Sequence, residues 1–154
     1  MELRVVRQQV VAVPLAVVRR PTSAVALGRD IRSSLDKVWA VLRGQGVATG
    51  QNVVVYHGGL HDVEFGVEVH GPFEETADVK RSNTPNGDAA AITHWGEYSA
   101  MKPAYQALER WCDDNECRPT GISWEVYGDW AEDPAKLRTD IYFLLEPGSV
   151  TERS

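Results

Sequence analysis

The sequence predicts an α+β fold. It reads as a duplicated β-helix-β-β unit forming one pseudo-twofold antiparallel sheet system, with two helices on one side and a central cleft. Three observations predict this. Short β-branched runs with strict alternation punctuate the chain. Two amphipathic helical faces, near 29–43 and 100–113, occupy matching places in its two halves. The halves also keep register, since Trp39 and Trp111 lie 72 positions apart and Tyr56 and Tyr127 lie 71 apart. One half-sheet with one helix buries too little to stand alone. We therefore expect one domain over residues 1–148, built from repeats at about 4–71 and 76–146, and a frayed tail at 149–154.

Residues 4–20 are rich in valine and read as strand, interrupted at Pro14 and closed by Pro21-Thr22-Ser23. Ile31, Leu35, Val38, Val41 and Leu42 line one face of a helix, with Trp39 beside them. Asp30 is its expected N-cap, and Gly44 and Gly46 end it. Asn52 to Tyr56 is a short strand. Val63 to Val69 alternates strictly and stops at Gly71-Pro72. Lys80 to Gly87 reads as a strand end and loop with a turn at Asn86-Gly87. Ala89 to Trp95 is a strand. Met101, Ala104, Tyr105, Leu108, Trp111 and Cys112 form a second helical face, with Pro103 in the first turn, where proline is tolerated. Strands at Ile122–Tyr127 and Thr139–Leu145 complete the second copy, separated by a loop holding Pro134.

Composition excludes several functions. The 154 residues are 43% hydrophobic and 25% charged, ordinary for a folded chain. No apolar run reaches the ~20 residues of a membrane span, and no signal-peptide core is present, so a cytoplasmic protein is expected. The net charge of −6 argues against nucleic-acid binding, which needs a basic face. Cys112 and Cys117 lack companion ligands at zinc spacing, so no metal and no cofactor is expected and the thiols pack as reduced side chains. Acyl, phosphoryl and hydride transfer find no motif.

The second repeat concentrates aromatic residues around one odd acid, Glu125, in the run Ser123-Trp124-Glu125-Val126-Tyr127. Alternation puts Glu125 and Tyr127 on one face. On the last strand Ile141, Phe143 and Leu145 belong to the helix side, which leaves Tyr142 on the open face with Glu125 and Tyr127 beside it. Glu125 is either a solvated strand residue or a carboxylate at the floor of an aromatic cleft. In a cleft it would pair with a cation or, with a raised pKa, serve as general acid or base. The expected lining is Trp39, Phe65, Trp95, Tyr98, Tyr127 and Tyr142 around Glu125. Glu68 is its first-repeat counterpart by eye. Glu64, Gly66, Glu68 and His70 read as a solvated face, and His94 as a structural histidine.

His94-Trp95-Gly96-Glu97-Tyr98 followed by the helix to Trp111, Trp124-Glu125-Val126-Tyr127, and Thr139-Asp140-Ile141-Tyr142 together resemble the GyrI-like small-molecule-binding family, the effector-binding module of AraC-type and MerR-type regulators. The resemblance runs from about Val5 to Leu145. It implies a duplicated fold with Glu125 in the cleft, contacting lipophilic cationic or aromatic xenobiotics. Some stand-alone members look like hydrolases of reactive cyclopropane-bearing compounds that use this glutamate, and others bind and inhibit DNA gyrase. Because the sequence starts at the first strand, no helix-turn-helix is expected, and direct transcriptional regulation is not the expected role. A stand-alone small-molecule binder is the expected function, with a hydrolase and a protein-interaction module as alternatives.

Overall fold

The computed structural model describes residues 3–148; the tail expected at 149–154 lies outside the described residues. The elements run β1 (Val6–Val10), β2 (Pro14–Arg20), α1 (Leu27–Gln45), β3 (Thr49–His57), β4 (Val63–Val69), β5 (Lys80–Asn83), β6 (Gly87–Trp95), α2 (Lys102–Asp114), β7 (Pro119–Tyr127) and β8 (Arg138–Leu145). All eight strands form one antiparallel sheet in the order β1-β6-β8-β7-β3-β4-β2-β5.

That order is a palindrome of the two repeats. β3-β4-β2 of the first unit mirrors β7-β8-β6 of the second, and each unit carries the edge strand of the other. The pseudo-twofold axis passes between β3 and β7, where Val54 lies opposite Glu125. These two residues are 71 positions apart, so Val54, not Glu68, is the first-repeat counterpart of Glu125. Glu68 instead accepts the Gln51 backbone N–H at 2.9 Å.

The valine run at 4–20 is two strands, not one interrupted strand. Pro14 opens β2, a place where a missing N–H costs little. β1 and β2 stand six positions apart in the sheet, as do β5 and β6. In a flat sheet that separation would be about 29 Å. The links 11–13 and 84–86 have three residues each and reach about 14 Å. The sheet must therefore curl until its wings nearly meet, without closing. The two links touch there: Thr84 N–H donates to the Val13 carbonyl (2.9 Å), and Val13 N–H donates to Thr84 Oγ1 (2.8 Å). Asn86-Gly87 consequently closes no hairpin; Gly87, at φ 142°, begins β6.

The curl gives the sheet an outer and an inner face. Each helix covers its own wing of the outer face. α1 buries Val38 and Leu42 against Ala16, Val18 and Val67. α2 buries Leu108 and Cys112 against Ala90, Ile92 and Ile141. The inner face packs on itself, joining Leu15, Val17, Val53, Val55, Ala89 and Trp124 into one core. This overturns the solvated reading of Glu64, which faces inward and is only 4% exposed. It lies 2.7 Å from His57 Nε2 and 3.5 Å from Arg19 Nη1, and accepts from the Ser82 hydroxyl.

The helix ends also differ from expectation. Ala26 occupies the N-cap of α1, and Asp30 lies inside the first turns, buried, accepting from the Thr22 hydroxyl at 2.7 Å. Its carboxylate ties the preceding loop to the helix instead of capping it. Gly46, at φ 67°, ends α1 in the left-handed conformation that glycine adopts at little cost.

Candidate functional site

α1 rests on β2 and β4, and α2 rests on β6 and β8, so the central strands β3 and β7 lie in the furrow between them. Strand alternation turns Asn52, Val54 and Tyr56 of β3, and Ser123, Glu125 and Tyr127 of β7, toward this furrow. Glu125 therefore sits on the molecular axis, at the centre of the outer face.

A carboxylate there is taken out of water: Glu125 is 4% exposed. Buried charges require partners, and tyrosines supply them. Tyr127, two residues on along β7, donates its hydroxyl to Oε1, and Tyr105 of α2 donates to Oε2. The Tyr56 hydroxyl interacts with both the carboxylate and the Tyr127 hydroxyl. Tyr98, 42% exposed, stands edge-on to Tyr127 with ring centroids 5.5 Å apart. His94 faces the same side, its Nε2–H donating to the Glu97 carbonyl at 2.8 Å.

Burial pushes the Glu125 carboxyl above the ordinary carboxylate range. The tyrosine hydroxyls and the field of His94 oppose this, but burial is the larger effect. The hydroxyls of Tyr56, Tyr105 and Tyr127 are pushed well above the usual phenol value, first by burial and then by the neighbouring carboxylate. They remain protonated donors. The result is a low-dielectric acidic group ringed by aromatic faces, able to receive a cation or to exchange a proton.

The structure brings Glu125, Tyr127 and Tyr98 together. Trp39 borders the floor from α1: its indole N–H donates to Asn52 Oδ1 at 3.0 Å, and Asn52 lies opposite Tyr127. Phe65 is fully buried opposite Val54, in the core beneath α1 that also contacts Tyr56 and Tyr127. Tyr142 and Trp95 are elsewhere. Glu125 pairs across the ladder with Ile141, whereas Tyr142 pairs with Trp124. Tyr142 thus lies on the inner face, stacked on Trp124 at 4.9 Å. Trp95 faces inward too, opposite Arg138. Placing Tyr142 beside Glu125 is corrected by that register: the helix-side strand face and the Glu125 face are the same face.

Sequence reasoning missed Tyr56 and Tyr105. Tyr56 was marked by its 71-residue offset from Tyr127. Tyr105 was marked as a polar-tipped ring within an otherwise apolar helical face.

The family profile described as "GyrI-like small molecule binding domain" matches residues 31–146. No curated protein sequence matches the chain. Among solved structures, the EcmrR C-terminal domain superposes with a TM-score of 0.75 at 22% identity, covering 95% of this chain and 99% of that one. The EcmrR–DNA complex gives 0.80 at 21%, covering 94% of this chain, which spans 57% of the EcmrR chain there. A hydrolase encoded by lin2189 from Listeria innocua gives 0.69 at 12%, covering 93% and 92%. SAV2435 bound to tetraphenylphosphonium gives 0.62 at 12%, covering 96% and 95%. These likenesses establish the shared fold.

Proposed function

The chain belongs to the family of GyrI-like small molecule binding domains, and from that premise we propose that it binds bulky lipophilic cations in the furrow between α1 and α2, with Glu125 as counter-charge. One observation carries the reading. Among the described residues no lysine or arginine pairs with this buried carboxylate on the axis; His94 contributes only a field, and the hydrogen-bond partners are tyrosine hydroxyls. Phenol donors hold the acid in an apolar place without neutralising it. A ligand cation supplies the missing charge while the rings supply cation–π and stacking contacts. Tyr98 is the exposed ring that such a ligand meets first. The likeness to SAV2435, solved with tetraphenylphosphonium, supports this ligand class.

The test is calorimetric titration with tetraphenylphosphonium. Glu125→Gln keeps the shape and removes the charge, and should weaken binding by about 1–3 kcal/mol. Triphenylphosphine oxide, neutral and similarly shaped, should lose much less. Native affinity for the cation in Glu125→Gln would overturn the reading.

A hydrolase is the second reading, favoured by the direct contact between a raised-pKa carboxyl and protonated phenols, an acid–base set in one place. In that case Glu125→Gln leaves binding of a strained cyclopropane-bearing compound intact. It lowers the rate at which the compound gains one water by roughly 10²–10⁴, read by mass spectrometry.

A further inference from the structure

Trp95 and Tyr142 do not reach Glu125, yet they are not simply packed away. On the inner face, over β1, β6 and β8, they border a groove of about 300 Å³. That volume is at the lower end of small-molecule sites. Three successive cross-strand pairs build its floor: Trp95 opposite Arg138, Thr93 opposite Asp140, and Ala91 opposite Tyr142. Trp95 is 41% exposed, and Tyr142 is held flat against Trp124, with 8° between the rings.

The two copies differ where this groove lies, and the cross-strand register shows how. Register places Thr93 and Asp140 where the first repeat has Arg19 and Glu64. There Arg19 fills the position, bonding Asp62 at 2.7 and 2.8 Å and facing Glu64. Here the shorter Thr93 donates to Asp140 at 2.7 Å and leaves room. Ala91 likewise stands where the first repeat has Val17, whose Cγ1 occupies the space above Gly66. The groove thus lies where the second unit departs from the first.

Its charge is opposite to that of the furrow. Arg138 donates to Asp140 through Nε only (3.1 Å), with its guanidinium 5.6 Å from the centre of the Trp95 ring. Arg4 lines the groove beside it. Two guanidinium groups face one lining carboxylate, Asp140, and the field of Glu68 reaches only the Tyr142 end, so the positive part of the groove is at Arg138 and Arg4. A planar fork of donors next to a tryptophan face matches a carboxylate attached to an aromatic ring. A cation would meet two like charges there.

We propose that this groove is a second small-molecule site, separate from the Glu125 furrow, that takes planar aromatic anions of one or two rings. The ring lies along Trp95 and the edge of Tyr142, and the acidic group lies on Arg138 and Arg4. The experiment is titration of the full chain with 2-naphthoate, followed by calorimetry and by the indole N–H resonances in NMR, with Trp95→Phe assigning the Trp95 signal. Saturable binding that shifts the Trp95 indole is expected. Arg138→Gln and Arg4→Gln should each weaken it about ten-fold, the scale of one charged contact. Both variants should keep tetraphenylphosphonium binding as it is in the wild type, and Glu125→Gln should keep naphthoate binding. Arg4 precedes the first strand and is exposed, so its variant tests the proposal even where Arg138→Gln disturbs the fold. Absence of saturation at millimolar naphthoate would overturn the proposal. So would native affinity in both arginine variants, or mutual exclusion with the cation. Because the two ligands carry opposite charge, failure here leaves the reading of Glu125 standing, and the reverse.

Discussion

Glu125 is held in a state that disfavours its own charge. Its folded pKa lies above the ordinary 4.5, chiefly from burial. The folded chain therefore holds this proton more tightly than the unfolded chain. The associated stabilisation is complete below the ordinary carboxylate range and is lost as pH rises through the raised value. Glu125→Gln removes that loss. The variant should melt above the wild type at alkaline pH, by roughly 1–2 kcal/mol, and the gap should narrow as pH falls toward 4.5. Thermal melts across a pH series measure both. A cation competes with the same proton, so tetraphenylphosphonium affinity should rise with pH over that window. Tyr105→Phe removes a donor that favours the ionised form. It should move the midpoint of the affinity profile to higher pH, which titrations at several pH values will show.

At the scale of elements, the site depends on strands that approach closely where a side chain is absent. Gly66 of β4 lies opposite Val17 of β2. A Cβ at Gly66 would meet Val17 Cγ1 at 2.6 Å and the Ala16 carbonyl oxygen at 2.8 Å. The backbone oxygen cannot swing aside as a side-chain tip can. Gly66→Ala should therefore destabilise by about 1–3 kcal/mol, read as a lower urea midpoint. Phe65, its neighbour in sequence, packs behind Val54 and the tyrosines. The same variant should then weaken cation binding more than it changes naphthoate binding, because the second groove belongs to the other wing.

The whole molecule is shaped by two three-residue links that draw the wings of the sheet together. They meet in a reciprocal pair of bonds between Val13 and Thr84 and in a bond from the Ala12 N–H to Asn86 Oδ1, and Thr84 is buried. Thr84→Val keeps the volume but leaves the Val13 N–H without its acceptor. It should cost about 1–3 kcal/mol in urea unfolding, with an unchanged m-value because the surface exposed is the same. The curl also explains why one sheet offers two different surfaces. The outer face is split by the helices into a furrow around an acid, and the inner face keeps a basic groove at one end.

Periodicity alone determined the two helices, their apolar faces and most strand centres, because burial on one side writes a period of two or 3.6 directly into the chain. The offset between Tyr56 and Tyr127 carried the duplication, and Glu125 stood out as an acid in an apolar strand. Alternation also paired Glu125 with Tyr127 correctly, since both lie on β7. What alternation could not supply was which face of β7 meets which face of β8. That choice rests on the ladder register, Glu125 opposite Ile141 and Trp124 opposite Tyr142, and it moved Tyr142 and Trp95 to the other side of the sheet. Tyr105 comes from a helix and Tyr56 from the other repeat, so only the packed fold brings their hydroxyls toward one carboxylate. The burial of Glu64 has the same origin. A strand face that reads as solvated becomes interior once two short links bend the sheet, because link length is local in sequence and the distance it must span is not.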